Sequence, residues 1–153
     1  NTEADMRGWV QEMLKRAKQG TDVPFAVIHL ASGRVAGATR YMNMMPKDRG
    51  LEIGGTWYGL EFQRTAVNTE CKYLLMTYAF EMLKVIRVQL KADSLNERSQ
   101  RAIERIGAKK EGVLRNHMIL PDGRIRDSVF FSVLDTEWPE VKKNLEAMLE
   151  KYK

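Results

Sequence analysis

Residues Leu51 to Leu83 read LEIGGTWYGLEFQRTAVNTECKYLLMTYAFEML, and the reading of this stretch decides the fold. Leu51 to Tyr58 carries Ile, Thr, Trp and Tyr, which suit a pleated, half-buried strand. The Gly54-Gly55 pair inside it marks a bulge, or a place where a ligand or another backbone comes close. Further on, Cys71, Leu74, Leu75, Tyr78, Ala79 and Met82 recur at spacings of three and four, which predicts an amphipathic helix with that stripe inward. Between strand and helix lies Gln63-Arg64-Thr65-Ala66-Val67-Asn68. A helix start has unpaired N–H groups and partial positive charge, so it attracts anions. Arg64 adds a full charge there. A plain surface loop capped by Thr65 or Asn68 is the alternative this stretch leaves open.

On the N-terminal side, Met6, Trp9, Val10, Met13, Leu14 and Ala17 form one stripe of a helix from Met6 to Gln19, with Gly20 as its stop. Pro24 opens a strand, Phe25 to Leu30; Ser32-Gly33 turns it, and Arg34 to Met42 returns as its hairpin partner. Ala36, Gly37 and Ala38 suggest close packing on that partner. Met42 to Gly50 reads as a loop. His29, alone in a strand, reads as structural.

On the C-terminal side, Val85 to Lys91 is a short strand, parallel to Leu51–Tyr58 across the helical crossover. Ser94 and Glu97 suggest a capping box for a helix running to Ile106, with Gly107 as its stop. Asn96 and Ser99 share one side of its first turn; spacing alone is equally compatible with capping. Lys109–Leu120 and Ile125–Leu134 are two strands joined by Pro121-Asp122-Gly123. Thr136 is placed to cap a last helix bearing Trp138, Val141, Leu145, Met148 and Leu149 on one face. The order α-ββ-β-α-β-α-ββ-α describes an α/β (α+β) chain with a mixed sheet.

The 153 residues suit a single domain, 1–153, large enough to need no disulfide or metal staple. Cys71 is the one cysteine, so no intrachain disulfide forms, which fits a reducing, cytoplasmic compartment. No Cys-His pairing accompanies it, and it reads as packing; no metal site is expected. There is no run of 18 apolar residues, and the start lacks an apolar signal region, so neither a membrane span nor a secretory leader is expected. The net charge of +5 suits an anionic ligand, but the charges are mixed along the chain rather than gathered in the patch of a nucleic-acid module.

The segments LEIGGTW, QRTAVNTECKYLLMTYAFE, DSLNERSQRAIERIGAKKEGVLR and DGRIRDSVFFSVL, in this order, resemble the RimJ/RimL-like branch of the GNAT superfamily of acyl-CoA-dependent N-acetyltransferases. The resemblance runs from Met6 to Trp138, and Asp93 to Arg115 is its most specific part. It implies a twisted mixed sheet flanked by helices, with two central parallel strands splayed like a V around acetyl-CoA. The family usually has a further strand and helix before the helix at Met6, which this sequence lacks; it is either a fragment or a variant with an exposed sheet edge, and such an edge would invite pairing with another chain, as in a homodimer.

The resemblance also assigns the site. The loop Gln63, Arg64, Thr65, Ala66, Val67 and Asn68 would hold the pyrophosphate, backbone freed at Gly54-Gly55 the pantetheine arm, and Asn96 and Ser99 the thioester end, with Thr56, Trp57 and Thr69 also binding the cofactor. Glu52 is the candidate general base, and Ser99, Asn96 or water the proton source for the leaving thiolate. The family loop has glycine where this chain has Ala66 and a small residue where it has Asn68; Ala66 requires a negative φ or some strain. The implied reaction moves acetyl from acetyl-CoA to a primary amine, a protein or peptide N-terminus ahead of a small amine. The altered loop keeps a second reading open: an acyl-CoA-binding or regulatory protein whose catalysis has decayed.

Overall fold

Turn chemistry and period-two patterning fold the chain into two three-stranded antiparallel units joined through one parallel contact. The computed structural model describes residues 2–152. Its elements are α1 (Glu3–Lys18), β1 (Val23–His29), β2 (Arg34–Met45), β3 (Gly50–Tyr58), α2 (Val67–Thr77), β4 (Arg87–Asp93), α3 (Glu97–Arg105), β5 (Lys109–Ile119), β6 (Ile125–Leu134) and α4 (Trp138–Glu150). A 3-10 turn, Leu60–Phe62, precedes α2, and a π-helical turn, Tyr78–Met82, extends it. The strands form one sheet in the order β1-β2-β3-β4-β6-β5. Every neighbouring pair is antiparallel except β3 and β4.

That parallel contact is short. Gly50 pairs with Arg87, Leu51 with Val88 and Glu52 with Gln89, and beyond them the two strands part. The expected V is therefore present, and the β4-facing side of β3 past Glu52 has no strand partner.

The pleat sorts the two faces of the sheet. Leu51, Ile53, Val88, Leu90, Ala92, Val129, Phe131 and Val133 share one core with Met76, Ala79 and Phe80 after β3, Ile103 and Ile106 around α3, and Trp138, Val141 and Leu145 of α4. Glu52, Gln89, Lys91, Phe130 and Ser132 alternate with these residues and so occupy the other face. On that face α1 covers the β1–β3 side, with Met13 against the Arg40 guanidinium and the Trp9 ring edge-on to Trp57 at 5.9 Å. Close packing at Gly37 comes from β3: a Cβ there would lie 2.1 Å from the Trp57 carbonyl oxygen.

Several expectations need correction. The inward stripe of α2 is Val67, Thr69, Lys72 and Met76, continued by Ala79 and Phe80, while Leu74, Tyr78 and Met82 are exposed. The π turn rotates the later residues and two inward positions are polar, so hydropathy finds only part of the inward face: of the expected stripe, Cys71, Leu75 and Ala79 pack against the core clusters. The cap of α3 is Asn96, whose Oδ1 accepts the Ser99 N–H at 3.0 Å; the Ser94 N–H instead binds the Asp127 carbonyl of β6. At α4 the N-cap position is Glu137, not Thr136, and its carboxylate accepts the Leu134 N–H at 3.0 Å. Strand β2 also runs through Met45, so the expected loop shrinks to a turn before Gly50. No helix among the described residues is long and apolar enough to cross a membrane.

Candidate active site

A cleft of about 1030 Å³ fills the V between β3 and β4. Its floor begins at the Gly54-Gly55 pair. Ala38 pairs with Trp57 and Arg40 with Gly54, so Thr39 alone faces Gly55 and Thr56, which is a bulge. Gly55 sits at φ +58, where glycine is unstrained. A Cβ at Gly54 would meet Met42 Sδ at 2.8 Å and Glu52 Oε1 at 3.2 Å. The bulge and the missing β4 partner leave backbone polar groups facing the cleft, where an amide-bearing ligand can bond as a strand does.

One end of the cleft is strongly cationic. Ala66, at the N-cap of α2, provides no side-chain cap; only the Val67 N–H is held, by Thr65 Oγ1 at 3.3 Å. Arg64 lines the cleft beside this helix start. From α3 come Arg98, Arg101 and Arg105, spaced three and four apart on one face and all lining the same cleft. Arg98 donates to Gln63 Oε1, and Arg105 donates to Thr69 Oγ1 at 3.0 Å, so α3 braces the start of α2. The helix N-terminus and the guanidinium groups together suit a polyanion. Strain falls at Arg64, with φ +63, and not at Ala66, which is relaxed at φ -61 and ψ -25.

Below the bulge, Lys72 is 5% exposed yet lines the cleft. Its Nζ donates to Thr56 Oγ1 at 2.9 Å, and that oxygen is 2.9 Å from Thr39 Oγ1. Burial pulls the Lys72 ammonium down to about 8. Cys71, next to it, is half-buried, and burial pushes its thiol up, which disfavours a nucleophilic role.

Glu52 lies just behind the cleft wall. It is 1% exposed; Oε2 accepts from Asn43 Nδ2 and Gln89 Nε2, each at 2.9 Å, and Oε1 is 3.3 Å from Lys91 Nζ. Lys91 itself lines the cleft. Where β4 ends, Asp93 accepts from Arg124 and lies 4.0 Å from Arg126 Nε. The Arg124 bond, with a second from the Leu95 N–H, holds the Asp93 carboxyl below the usual range.

Among the residues expected from sequence, Thr56, Trp57, Gln63, Arg64, Thr65, Asn68, Asn96 and Ser99 line the cleft together. Ala66, Val67 and Thr69 do not: the latter two are buried at the base of α2. Sequence reasoning missed Lys72, Lys91 and the α3 arginines. The arginines had a legible signal in their helical spacing, and Lys72 a weaker one as a lysine inside an apolar run. Among the described residues no group of three His, Cys, Asp or Glu could hold a metal ion.

Comparison with known proteins bears directly on this geometry. The family model described as Acetyltransferase (GNAT) domain matches residues 1–109. A Bacillus subtilis (strain 168) protein, provisionally named ribosomal N-acetyltransferase YdaF, is 36% identical over 109 residues, covering 71% of this chain and 58% of that protein. This chain thus spans somewhat more than half the length of that curated relative. The crystal structure of a provisionally named acetyltransferase from T. thermophilus superposes with a TM-score of 0.88 at 43% identity, covering 97% of this chain and 76% of the other. A GCN5-related N-acetyltransferase from Brucella melitensis gives a TM-score of 0.88 at 38% identity, covering 95% and 64%.

Proposed function

This chain belongs to the GNAT acetyltransferase domain family, and on that premise we propose that it transfers acetyl from acetyl-CoA to a primary amine, preferentially a protein or peptide N-terminus. The observation that carries the reading is the β3–β4 cleft, with backbone open to hydrogen bonding along its floor and cations gathered at one end. The pyrophosphate would lie at the start of α2, held by backbone N–H groups of the Gln63–Asn68 loop, with Arg64 and the α3 arginines around it. The pantetheine arm would follow β3 past Trp57 and Thr56. The thioester end would lie between the bulge and the α3 start, near Asn96 and Ser99. The peptide preference draws on the name of the Bacillus subtilis relative. A single half-buried cysteine accords with action in the cytoplasm.

Attack on the thioester carbonyl requires a neutral amine. A protein α-amine has a pKa of about 7.7–8.0, against about 10.4 for a lysine side chain, so a modest base suffices for an N-terminus. Glu52 is our candidate for that base, buried behind the cleft wall beside Lys91, which lines the cleft. Backbone N–H groups released at the bulge would stabilise the oxyanion developing on the acetyl carbonyl. As the C–S bond breaks, Ser99 or water would return a proton to the sulfur; Ser99 lines the cleft, and its N–H is occupied by the Asn96 cap.

One observation favours a second reading, an acyl-CoA-binding protein without turnover: the Glu52 carboxylate is already satisfied by three donors. Titration calorimetry with acetyl-CoA, followed by a thiol-release assay over peptide and small-amine panels, separates the readings. Binding with thiol release on peptides is the expected result. Binding without release on any amine selects the second reading. Release only with polyamines or amino sugars removes the peptide preference, and absence of any binding to folded protein removes both readings.

A further inference from the structure

We propose that the chain acetylates itself on the Nζ of Lys91, a modification site inside its own cleft. The proposal rests on the transferase reading above.

Lys91 satisfies the requirements placed on an external acceptor. The last β3–β4 pair is Glu52 with Gln89, so Lys91 stands two residues on, across the opening gap from Gly54 and the bulge. It lines the cleft, and its side chain is 16% exposed. Its nitrogen is 3.3 Å from Glu52 Oε1, the carboxylate proposed to take the acceptor's proton. The Phe130 ring, 6.0 Å from the nitrogen at its centroid, walls it on the β6 side. The position where an incoming amine would meet the base therefore already holds a primary amine. A group tethered there competes at high effective concentration with any acceptor from solution.

Lys72, the other lysine lining the cleft, lacks this arrangement. Its nitrogen bonds Thr56 Oγ1, and it has no carboxylate partner among the described residues.

The chemistry balances without another reagent. Glu52 takes a proton from the Lys91 ammonium, and the neutral nitrogen attacks the thioester carbonyl. An N–C bond forms and the C–S bond breaks. The second nitrogen proton passes through solvent to the departing thiolate, leaving acetyl-lysine, CoA thiol and the one proton on Glu52, which returns to solvent. The product has lost its cation, so Glu52 keeps only the neutral donors Asn43 and Gln89.

The test incubates the full chain with acetyl-CoA and no acceptor, then digests it with trypsin. Acetylation blocks cleavage after Lys91, so the diagnostic peptide is Val88–Arg98 carrying one acetyl group. The expected result is a rate per molecule independent of protein concentration, absent in Lys91→Arg and slowed about a hundredfold in Glu52→Gln. An unmodified Lys91 in protein that binds acetyl-CoA and acetylates an added amine overturns this proposal and leaves the transferase reading standing. Lys91 acetylated no faster than the exposed Lys47, at a rate rising with protein concentration, or unslowed in Glu52→Gln, also overturns it. Failure to bind acetyl-CoA removes the parent reading and this proposal together.

Discussion

Glu52 and Lys91 face each other at the point where the parallel strands β3 and β4 part, Oε1 to Nζ 3.3 Å, with the carboxylate almost wholly buried. A buried charge left without its partner is costly, so the two ends of this pair should respond differently to substitution. Lys91→Ala leaves the carboxylate to two neutral donors and should destabilise the fold by on the order of 3 kcal/mol, read as a lower denaturant midpoint with unchanged slope. Glu52→Gln keeps an acceptor and should destabilise less. It should lower turnover about a hundredfold with acetyl-CoA affinity nearly unchanged, because a base acts after the substrate is bound. Full activity of Glu52→Gln at neutral pH would assign the proton to another group.

The loop before α2 allows a second prediction. Ala66 is relaxed and helical, so glycine there has no strain to relieve and only adds freedom to the unfolded chain. Ala66→Gly should reduce stability by roughly 0.4–1 kcal/mol and leave acetyl-CoA binding equal or weaker. Strain sits instead at Arg64, where a left-handed conformation costs a non-glycine residue on the order of 1 kcal/mol. Arg64→Ala should weaken binding and flatten its salt dependence. Calorimetry at two ionic strengths reads both effects, and an unchanged affinity would move the pyrophosphate away from this loop.

Most of the fold was legible because its cues are local. The Pro121-Asp122-Gly123 turn, the Ser32-Gly33 turn and the Gly54-Gly55 bulge each act within a few residues. Part of the cleft lining was legible for the same reason, since Gln63, Arg64, Thr65 and Asn68, and Asn96 and Ser99, fall in two short segments. What escaped depends on contacts between distant segments. Lys72 is inward where Thr56, sixteen residues earlier, accepts its hydrogen bond, and Lys91 is engaged because Glu52 lies across a parallel register. Hydropathy assigns a lysine to solvent, so a buried one blurs the apparent face of its helix.

Arg87 on β4 forks onto Glu111 on β5, across the intervening β6, whose Ser132 also donates to Glu111 at 2.8 Å. The guanidinium holds the Glu111 carboxyl down to about 2, below the unfolded value of about 4.3. The stabilisation is therefore present above pH of about 4.3 and lost as pH falls through about 2. Partial exposure of the pair makes the effect small. Arg87→Gln should shift acid unfolding to higher pH and lower stability by a similar small amount at neutral and alkaline pH. Coincident acid transitions in parent and variant would show that the fork does not brace the hairpin.

Lys72 sets the opposite pH dependence. Its folded value, about 8, lies below an unfolded value of about 10.4, so between them the unfolded chain binds more protons. The penalty for burying this ammonium is fully present below pH of about 8 and disappears as pH rises toward about 10.4. It is on the order of 3 kcal/mol, offset by about 1 kcal/mol for the bond to Thr56 Oγ1. Lys72→Met should therefore unfold at a higher denaturant midpoint than the parent at pH 7, with the gain shrinking toward pH 10. The same ammonium lines the cleft proposed for an anionic substrate, so acetyl-CoA should bind the parent less tightly as pH rises through about 8, and Lys72→Met should bind more weakly with a flatter profile. Acetyl-CoA suits this measurement because its sulfur carries no titrating proton. A variant with parental stability at pH 7 and an unchanged binding profile would mean that the ammonium is hydrated in solution and takes no part in holding the substrate.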